Sequence, residues 1–124
     1  MWARWPPLHV PQRTDLPSGE AGVVTFGSLH KLEKLNDGLL DLWSQIVLEV
    51  PRSRLLLCRN TLQGATADLW RDRFARRGLP PDRLDLQHVV PVGLQHLRVY
   101  DGIDVALDCF PWSGHTTACE ALWM

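Results

Sequence analysis

A histidine and two threonines near residue 115 are the side chains whose types and spacing could do chemistry. His115, Thr116 and Thr117 follow a turn that contains Pro111 and Gly114, and the residues after them favour a helix. A helix that begins near Thr116 leaves its first backbone N–H groups without partners in the helix, pointing back at the turn. Those N–H groups and the two hydroxyls would form a binding site for a phosphate group. The same pattern also fits a plain helix cap to which nothing binds.

Two lysines in an earlier segment could supply positive charge to the same phosphate. Lys31 and Lys34 follow residues 23–28, a β-rich run that ends in Gly-Ser. If this segment lies beside the turn before Thr116, two ammonium groups and a helix N-terminus converge on one crevice, which suits a diphosphate. Taken alone, such lysines are typical of a solvated surface, so the interpretation depends on the fold that positions the two segments.

Strand and helix signals alternate along the chain and predict an α/β fold with a parallel sheet and helices on both faces. The predicted strands cover residues 23–28, 53–58, 83–90 and 103–107. The helices are predicted to begin at Asn36 or Asp37, at Thr66, near residue 94 and near Thr116. With the strand order 3-2-1-4, the ligand site lies between strands one and four, where residues 28–35 and 108–115 would face each other.

Finer features of these elements also follow from the pattern. The apolar run at residues 105–107 predicts a buried strand, and residues 29–35 predict a polar turn. In the second helix, Trp70 and Phe74 are expected to face inward and the four arginines outward, with Gly78 as the C-terminal cap.

Composition excludes several function classes. The 124 residues suit one domain, and residues 1–21, with four prolines, predict a linker before a domain at residues 22–124. A net charge of −1 gives no basic field for nucleic acid, and no apolar run approaches the roughly 18 residues that span a membrane. The three cysteines have no zinc-like spacing with the histidines, so we expect free thiols, no metal and a cytoplasmic location.

The segment at residues 107–124, LDCFPWSGHTTACEALWM, resembles the signature of the protein O-linked N-acetylglucosamine transferase family and its bacterial relatives. Similar segments occur at residues 26–34, 50–55 and 78–84, so the resemblance covers nearly the whole chain from Val23. It implies the donor-binding, Rossmann-like C-terminal half of a GT-B glycosyltransferase. Such an enzyme passes a sugar from a UDP-sugar, usually UDP-N-acetylglucosamine, to serine and threonine hydroxyls of proteins, without a metal or another cofactor.

The resemblance also implies roles for single residues. Lys34 matches a lysine that stabilises negative charge on the departing UDP, and is therefore the implied catalytic residue. Thr116 and Thr117 match a phosphate-binding pair, Glu120 an acidic residue that bonds the ribose, and His96 a histidine near the nucleoside. His115 would lie beside the pyrophosphate and the sugar. Lys31 departs from the family pattern, because animal members carry a glutamine there, so its phosphate contact would have a different geometry.

The resemblance further implies that this chain is a piece of a larger, tetratricopeptide-containing enzyme. The acceptor-side domain and the catalytic base have no counterpart in this sequence, so we expect the isolated chain to be inactive. We also expect an exposed edge at strand four to favour self-association. Two alternatives stay open: a non-catalytic α/β binding module, and a GT-B transferase that uses another donor such as UDP-glucose.

Overall fold

A computed structural model describes residues 22–88, 95–109 and 121–122 of the chain. The described strands and helices are, in chain order, β1 (Val24–Ser28), a 3-10 helix (Leu32–Lys34), α1 (Asp37–Glu49), β2 (Ser53–Cys58), α2 (Gly64–Ala75), a 3-10 helix (Pro81–Arg83), β3 (Leu84–Gln87), a long 3-10 helix (Gln95–Gly102) and β4 (Val105–Ala106). The predicted linker at residues 1–21 lies outside the described residues. None of the helices described is long and apolar enough to cross a membrane.

The four strands form one parallel sheet in the order β3-β2-β1-β4. This confirms the predicted strand order. β1 lies between β2 and β4, with Phe26 opposite Leu55 on one side and Val105 on the other. Because all strands run the same way, the segments that follow β1 and β4 leave the sheet at its carboxyl edge, side by side.

Helix α1 forms because its first turn is capped and one of its faces is apolar. The Asn36 side chain accepts a hydrogen bond of 3.0 Å from the backbone N–H of Leu39, which confirms the predicted cap. Leu39, Trp43 and Val47 recur at helical spacing and are buried against the sheet. The helix ends at Glu49, before Pro51.

Helix α2 begins earlier than the sequence predicts. Its first residue is Gly64, in the left-handed region with φ +55°, and Gln63 precedes it, so the prediction that Thr66 caps this helix is wrong. Trp70 and Phe74 are buried, as predicted, and Gly78 follows the helix with φ +83°, the backbone conformation expected of a C-terminal glycine cap.

Two of the four arginines at residues 71–77, in α2 and directly after it, link this helix to α1, which the prediction of a solvated face missed. Arg73 donates a 2.7 Å hydrogen bond to Asp37, and Arg77 a 2.6 Å bond to Asp41. The Arg73 guanidinium also lies 4.4 Å from the ring centre of Trp70. Because the hydrogen bond and charge of Arg73 favour the carboxylate, the pKa of Asp37 is lowered.

Residues of β2 alternate between two cores, which shows that both faces of the sheet are covered. Leu55 and Leu57 pack with α1 and α2, whereas Leu56 and Cys58 pack on the opposite face with Tyr100 of the long 3-10 helix. On that second face, no side chain would fit at the position of Gly27. A Cβ placed there would lie 2.4 Å from the Cδ1 atom of Ile103.

Two local predictions differ from the structure. β4 is only two residues long, and Val105 is 42% exposed, because β4 is an edge strand with β1 as its partner in the described sheet. Self-association through this edge stays a prediction. The segment at residues 29–35 is not a polar turn, since it contains a 3-10 helix and buries Leu29, Leu32 and Leu35.

Candidate functional site

The carboxyl edge of the sheet brings the segment after β1 against the segment after β4. Ladder bonding between these strands ends where the Leu107 N–H donates to the Gly27 carbonyl at 2.8 Å. Two side chains continue the contact beyond that point. The imidazole of His30 comes from the first segment and the carboxylate of Asp108 from the second, with Nε2 and Oδ1 3.2 Å apart.

His30 is fixed from several sides. Its side chain is 6% exposed, and its backbone N–H donates to Ser28 Oγ at 3.2 Å. Arg59, which follows β2, donates from Nη1 to the adjacent Leu29 carbonyl at 3.0 Å. Asp108 is 55% exposed, and its Oδ1 also accepts the Cys109 N–H at 2.8 Å.

The surroundings of His30 favour the neutral ring. Burial is the main cause that lowers its pKa, and the positive charges of Lys34 and Arg59 lower it further. The Asp108 carboxylate and a hydrogen bond with the Leu107 backbone oppose this shift without reversing it. The Nδ1 atom is buried and has no hydrogen-bond partner.

Lys34, the implied catalytic residue, lies at the end of the first 3-10 helix and is partly buried. Its positive charge acts to lower the pKa of His30 and that of Cys109, although burial and the Asp108 carboxylate raise the pKa of Cys109 overall. Lys34 therefore acts on the residues at which the segment after β4 begins. Lys31 precedes the same 3-10 helix and is exposed. These are the only two lysines of the sequence.

The remaining predicted site residues are not tested by this arrangement. His96 belongs to the long 3-10 helix, but its side chain is outside the described part of the chain. The other four, which include the phosphate-binding pair and the ribose-binding acid, lie outside the described residues altogether: His115, Thr116, Thr117 and Glu120. Their roles stay predictions.

A cavity of about 210 Å³ opens between the two segments. Its walls are largely apolar, with His30 and Asp108 as polar groups and Tyr100, Leu107 and Leu122 among the apolar ones. A concave, mostly apolar space with a few convergent polar groups at the point where strand order reverses is the usual setting of a ligand site in an open α/β sheet.

The same groups also include a possible set of metal ligands. The donor atoms of His30, Asp108 and Cys109 all lie within 4.8 Å of one another, and zinc accepts all three ligand types. Burial and the Asp108 carboxylate raise the pKa of the Cys109 thiol, so the thiolate that a metal needs is disfavoured. With the cations Lys34 and Arg59 acting on His30 as well, the site suits an anionic ligand better than a metal cation.

Sequence reasoning missed His30, Asp108 and Arg59 as members of this site. His30 stands directly before Lys31, in a segment already predicted to face the crevice, and that position was the available signal. Its pairing with Asp108 joins residues far apart in the chain, so it becomes visible only once the two segments have been placed.

Comparisons with known proteins agree on one family. Residues 8–124 match the family described as Glycosyl transferase family 41. The chain is 36% identical over 104 residues to the rice protein named probable UDP-N-acetylglucosamine--peptide N-acetylglucosaminyltransferase SPINDLY, an alignment that covers 83% of this chain and 11% of that protein. A Caenorhabditis elegans UDP-N-acetylglucosamine peptide N-acetylglucosaminyltransferase is 34% identical over 100 residues, covering 81% of this chain and 8% of the relative.

A solved structure gives the same result for the fold. A mutant of the Thermobaculum terrenum O-GlcNAc transferase superposes with a TM-score of 0.85 and 38% sequence identity. The match covers 96% of this chain and 22% of the bacterial one. The chain thus spans about a tenth of the curated relatives that it matches, and about a fifth of the solved one.

Proposed function

Because the chain belongs to glycosyl transferase family 41, we propose that it binds the donor in a metal-independent transferase that moves a sugar from a UDP-sugar to protein serine or threonine hydroxyls. UDP-N-acetylglucosamine is the donor that we expect, as the names of the relatives suggest. The observation that carries the proposal is the position of Lys34. It ends the 3-10 helix that follows β1, at the carboxyl edge where β1 and its parallel neighbour β4 both leave the sheet.

The chemistry assigned to this position is stabilisation of the leaving group. As the acceptor oxygen bonds to the anomeric carbon of the sugar, the bond from that carbon to the diphosphate oxygen breaks, and UDP takes the electron pair. Negative charge then grows on the diphosphate. A fixed ammonium group at Lys34 lowers the free energy of that charge, and the N–H groups and hydroxyls expected at Thr116 and Thr117 would add to it. We assign no base for the acceptor proton among these residues.

A UDP titration followed by NMR tests this proposal. With only two lysines, protein labelled at lysine gives two side-chain signals, which the Lys34→Met variant assigns. We expect UDP to shift the Lys34 signal and uridine, which lacks the diphosphate, to leave it unchanged. No shift at millimolar UDP would contradict the proposal and favour a non-catalytic α/β binding module.

The donor sugar needs a second measurement. Competition between UDP-N-acetylglucosamine and UDP-glucose for the same Lys34 signal compares their affinities directly. Tighter binding of UDP-glucose would replace the expected donor while leaving the diphosphate site in place. A cytoplasmic location is part of the proposal, in keeping with the buried thiols of Cys58 and Cys109.

A further inference from the structure

We propose that the close contact between the His30 imidazole and the Asp108 carboxylate holds the lysine-bearing segment in the position that binds a nucleoside diphosphate, and that His30 is a positioning residue. The inference rests on the proposed function, because it assigns a role toward the same diphosphate. His30 directly precedes Lys31 and lies on the chain between β1 and Lys34.

The need for such a contact follows from how short β4 is. Only two register pairs, Phe26 with Val105 and Gly27 with Ala106, join β4 to β1. So short a ladder gives few backbone hydrogen bonds to fix the segment after β4. The contact of His30 Nε2 with Asp108 Oδ1, at 3.2 Å, lies beyond the end of this ladder and ties the two segments directly.

The burial of His30 separates positioning from catalysis. The side chain is 6% exposed, and Nδ1 has no access to solvent, so the ring is not placed to exchange a proton with a bound substrate. The ring is instead buried, and hydrogen bonds fix the backbone that carries it. The backbone N–H of His30 donates to Ser28, and the carbonyl of the preceding Leu29 accepts from Arg59.

The charges around the ring fit the same role. Lys34 and Arg59 face His30 from the segments after β1 and β2, and Asp108 faces it from the segment after β4. A neutral ring stays in contact with the Asp108 carboxylate without adding a third positive charge to this edge. The positive field is thereby left to the lysines, which can face an anionic ligand.

A matched pair of variants tests the inference. His30→Leu removes the polar contact with Asp108 and puts an apolar side chain of similar size in its place, whereas His30→Gln offers an Nε2 donor that does not titrate. We expect UDP to bind about tenfold more weakly to H30L, as lost positioning of one charge-assisted bond would give, and H30Q to restore most of the affinity. Thermal unfolding is measured beside binding, and every titration is made well below the unfolding temperature of each variant.

Several outcomes would overturn the inference. If H30L is less stable but binds UDP as tightly as the parent protein, His30 has a purely structural role. If H30Q binds as weakly as H30L, the ring shape matters and not its donor. If Asp108→Asn weakens binding as much in the H30L background as in the parent, Asp108 acts independently of His30.

The parent protein separates this inference from the proposed function. Absence of UDP binding to the parent would contradict the proposed function itself. Binding by the parent that is unchanged in H30L would leave the proposed function standing and overturn only the positioning role.

Discussion

The two edges of the sheet differ in how completely their polar groups are satisfied. At the amino edge, Arg83 donates from Nε to the Ser53 carbonyl at 2.9 Å and from Nη2 to the Val50 carbonyl at 2.7 Å and to Ser53 Oγ at 3.1 Å. The Val47 carbonyl accepts from Arg83 as well as from the Ser53 hydroxyl. One guanidinium thus satisfies the last carbonyls of α1, where a positive charge also complements the helix dipole.

At the carboxyl edge, polar groups are left available. Within the described ranges, neither Lys31 nor Lys34 forms an ion pair, although five arginine–aspartate pairs exist elsewhere. Groups that are paired within the fold stabilise it, whereas a lysine without an ion pair can pair with an anionic ligand. The comparison therefore assigns stability to one edge and binding to the other.

The largest expected effect is on stability, at the amino edge. Arg83→Leu removes the donors that satisfy the carbonyls of Val47, Val50 and Ser53. We expect the free energy of unfolding to fall by about 3 kcal/mol, measured by urea denaturation. Arg71→Met, which removes an exposed arginine of α2, is the control and should change it by less than about 0.5 kcal/mol. A loss for R83L as small as that of the control would break the comparison.

The next effect comes from a packing constraint at the carboxyl edge. Gly27→Ala places a Cβ 2.4 Å from Ile103 Cδ1, so strand or side chain must shift. We expect a loss of about 2 kcal/mol in the free energy of unfolding, and weaker UDP binding as well, because Gly27 also lines the cavity. A smaller residue at position 103, as in Ile103→Val, should recover part of the stability. No recovery would show that the contact with Ile103 is not the cause.

Lys34→Met is expected to have the opposite signature to R83L. Lys34 forms no ion pair in the described part of the chain, so the free energy of unfolding should change by less than about 0.5 kcal/mol. The affinity for UDP should fall by about tenfold or more, because one fixed charge beside the diphosphate is lost. Calorimetric titration measures the affinity of K34M and of R83L for UDP at the same salt concentration. Tight UDP binding by K34M would show that the diphosphate binds away from this edge.

The smallest effect is a pH dependence that belongs to His30. Because burial lowers its pKa below the ordinary 6.5, the unfolded chain takes up a proton before the folded one as the pH falls. The contribution to stability is therefore complete above pH 6.5 and is lost as the pH falls below it, with a slope of at most about 1.4 kcal/mol per pH unit. Urea denaturation of H30Q between pH 7 and pH 5 should give a free energy of unfolding whose pH dependence lacks the contribution of this one titrating group. An unchanged slope would assign the titration to another group.

The strand order and the cap of α1 could be predicted from the sequence because each depends on local signals. Alternating strands and helices leave few possible strand orders for a parallel sheet. The Asn36 side chain carries the oxygen that caps a helix. The same reasoning predicts that Lys34 follows β1, which the structure shows, whereas its role toward a phosphate stays a prediction. It could not find the roles of Arg83 and His30, because each depends on partners that only the folded topology brings near. The sequence also predicts that Thr66 caps α2, whereas the helix begins at a glycine with positive φ.

The alkylation rates of the two described cysteines can report local and global opening of the fold. Burial raises the pKa of Cys58 to about 11 and also raises that of Cys109, so both thiols resist alkylation at neutral pH while the fold is closed. Cys58 ends the central strand β2, and Cys109 lies directly after Asp108. In a Cys119→Ser background, the alkylation rate of Cys58 would report global unfolding and that of Cys109 the parting of the two segments. The ratio of the two rates then gives, in a single sample, the free energy that separates local from global opening.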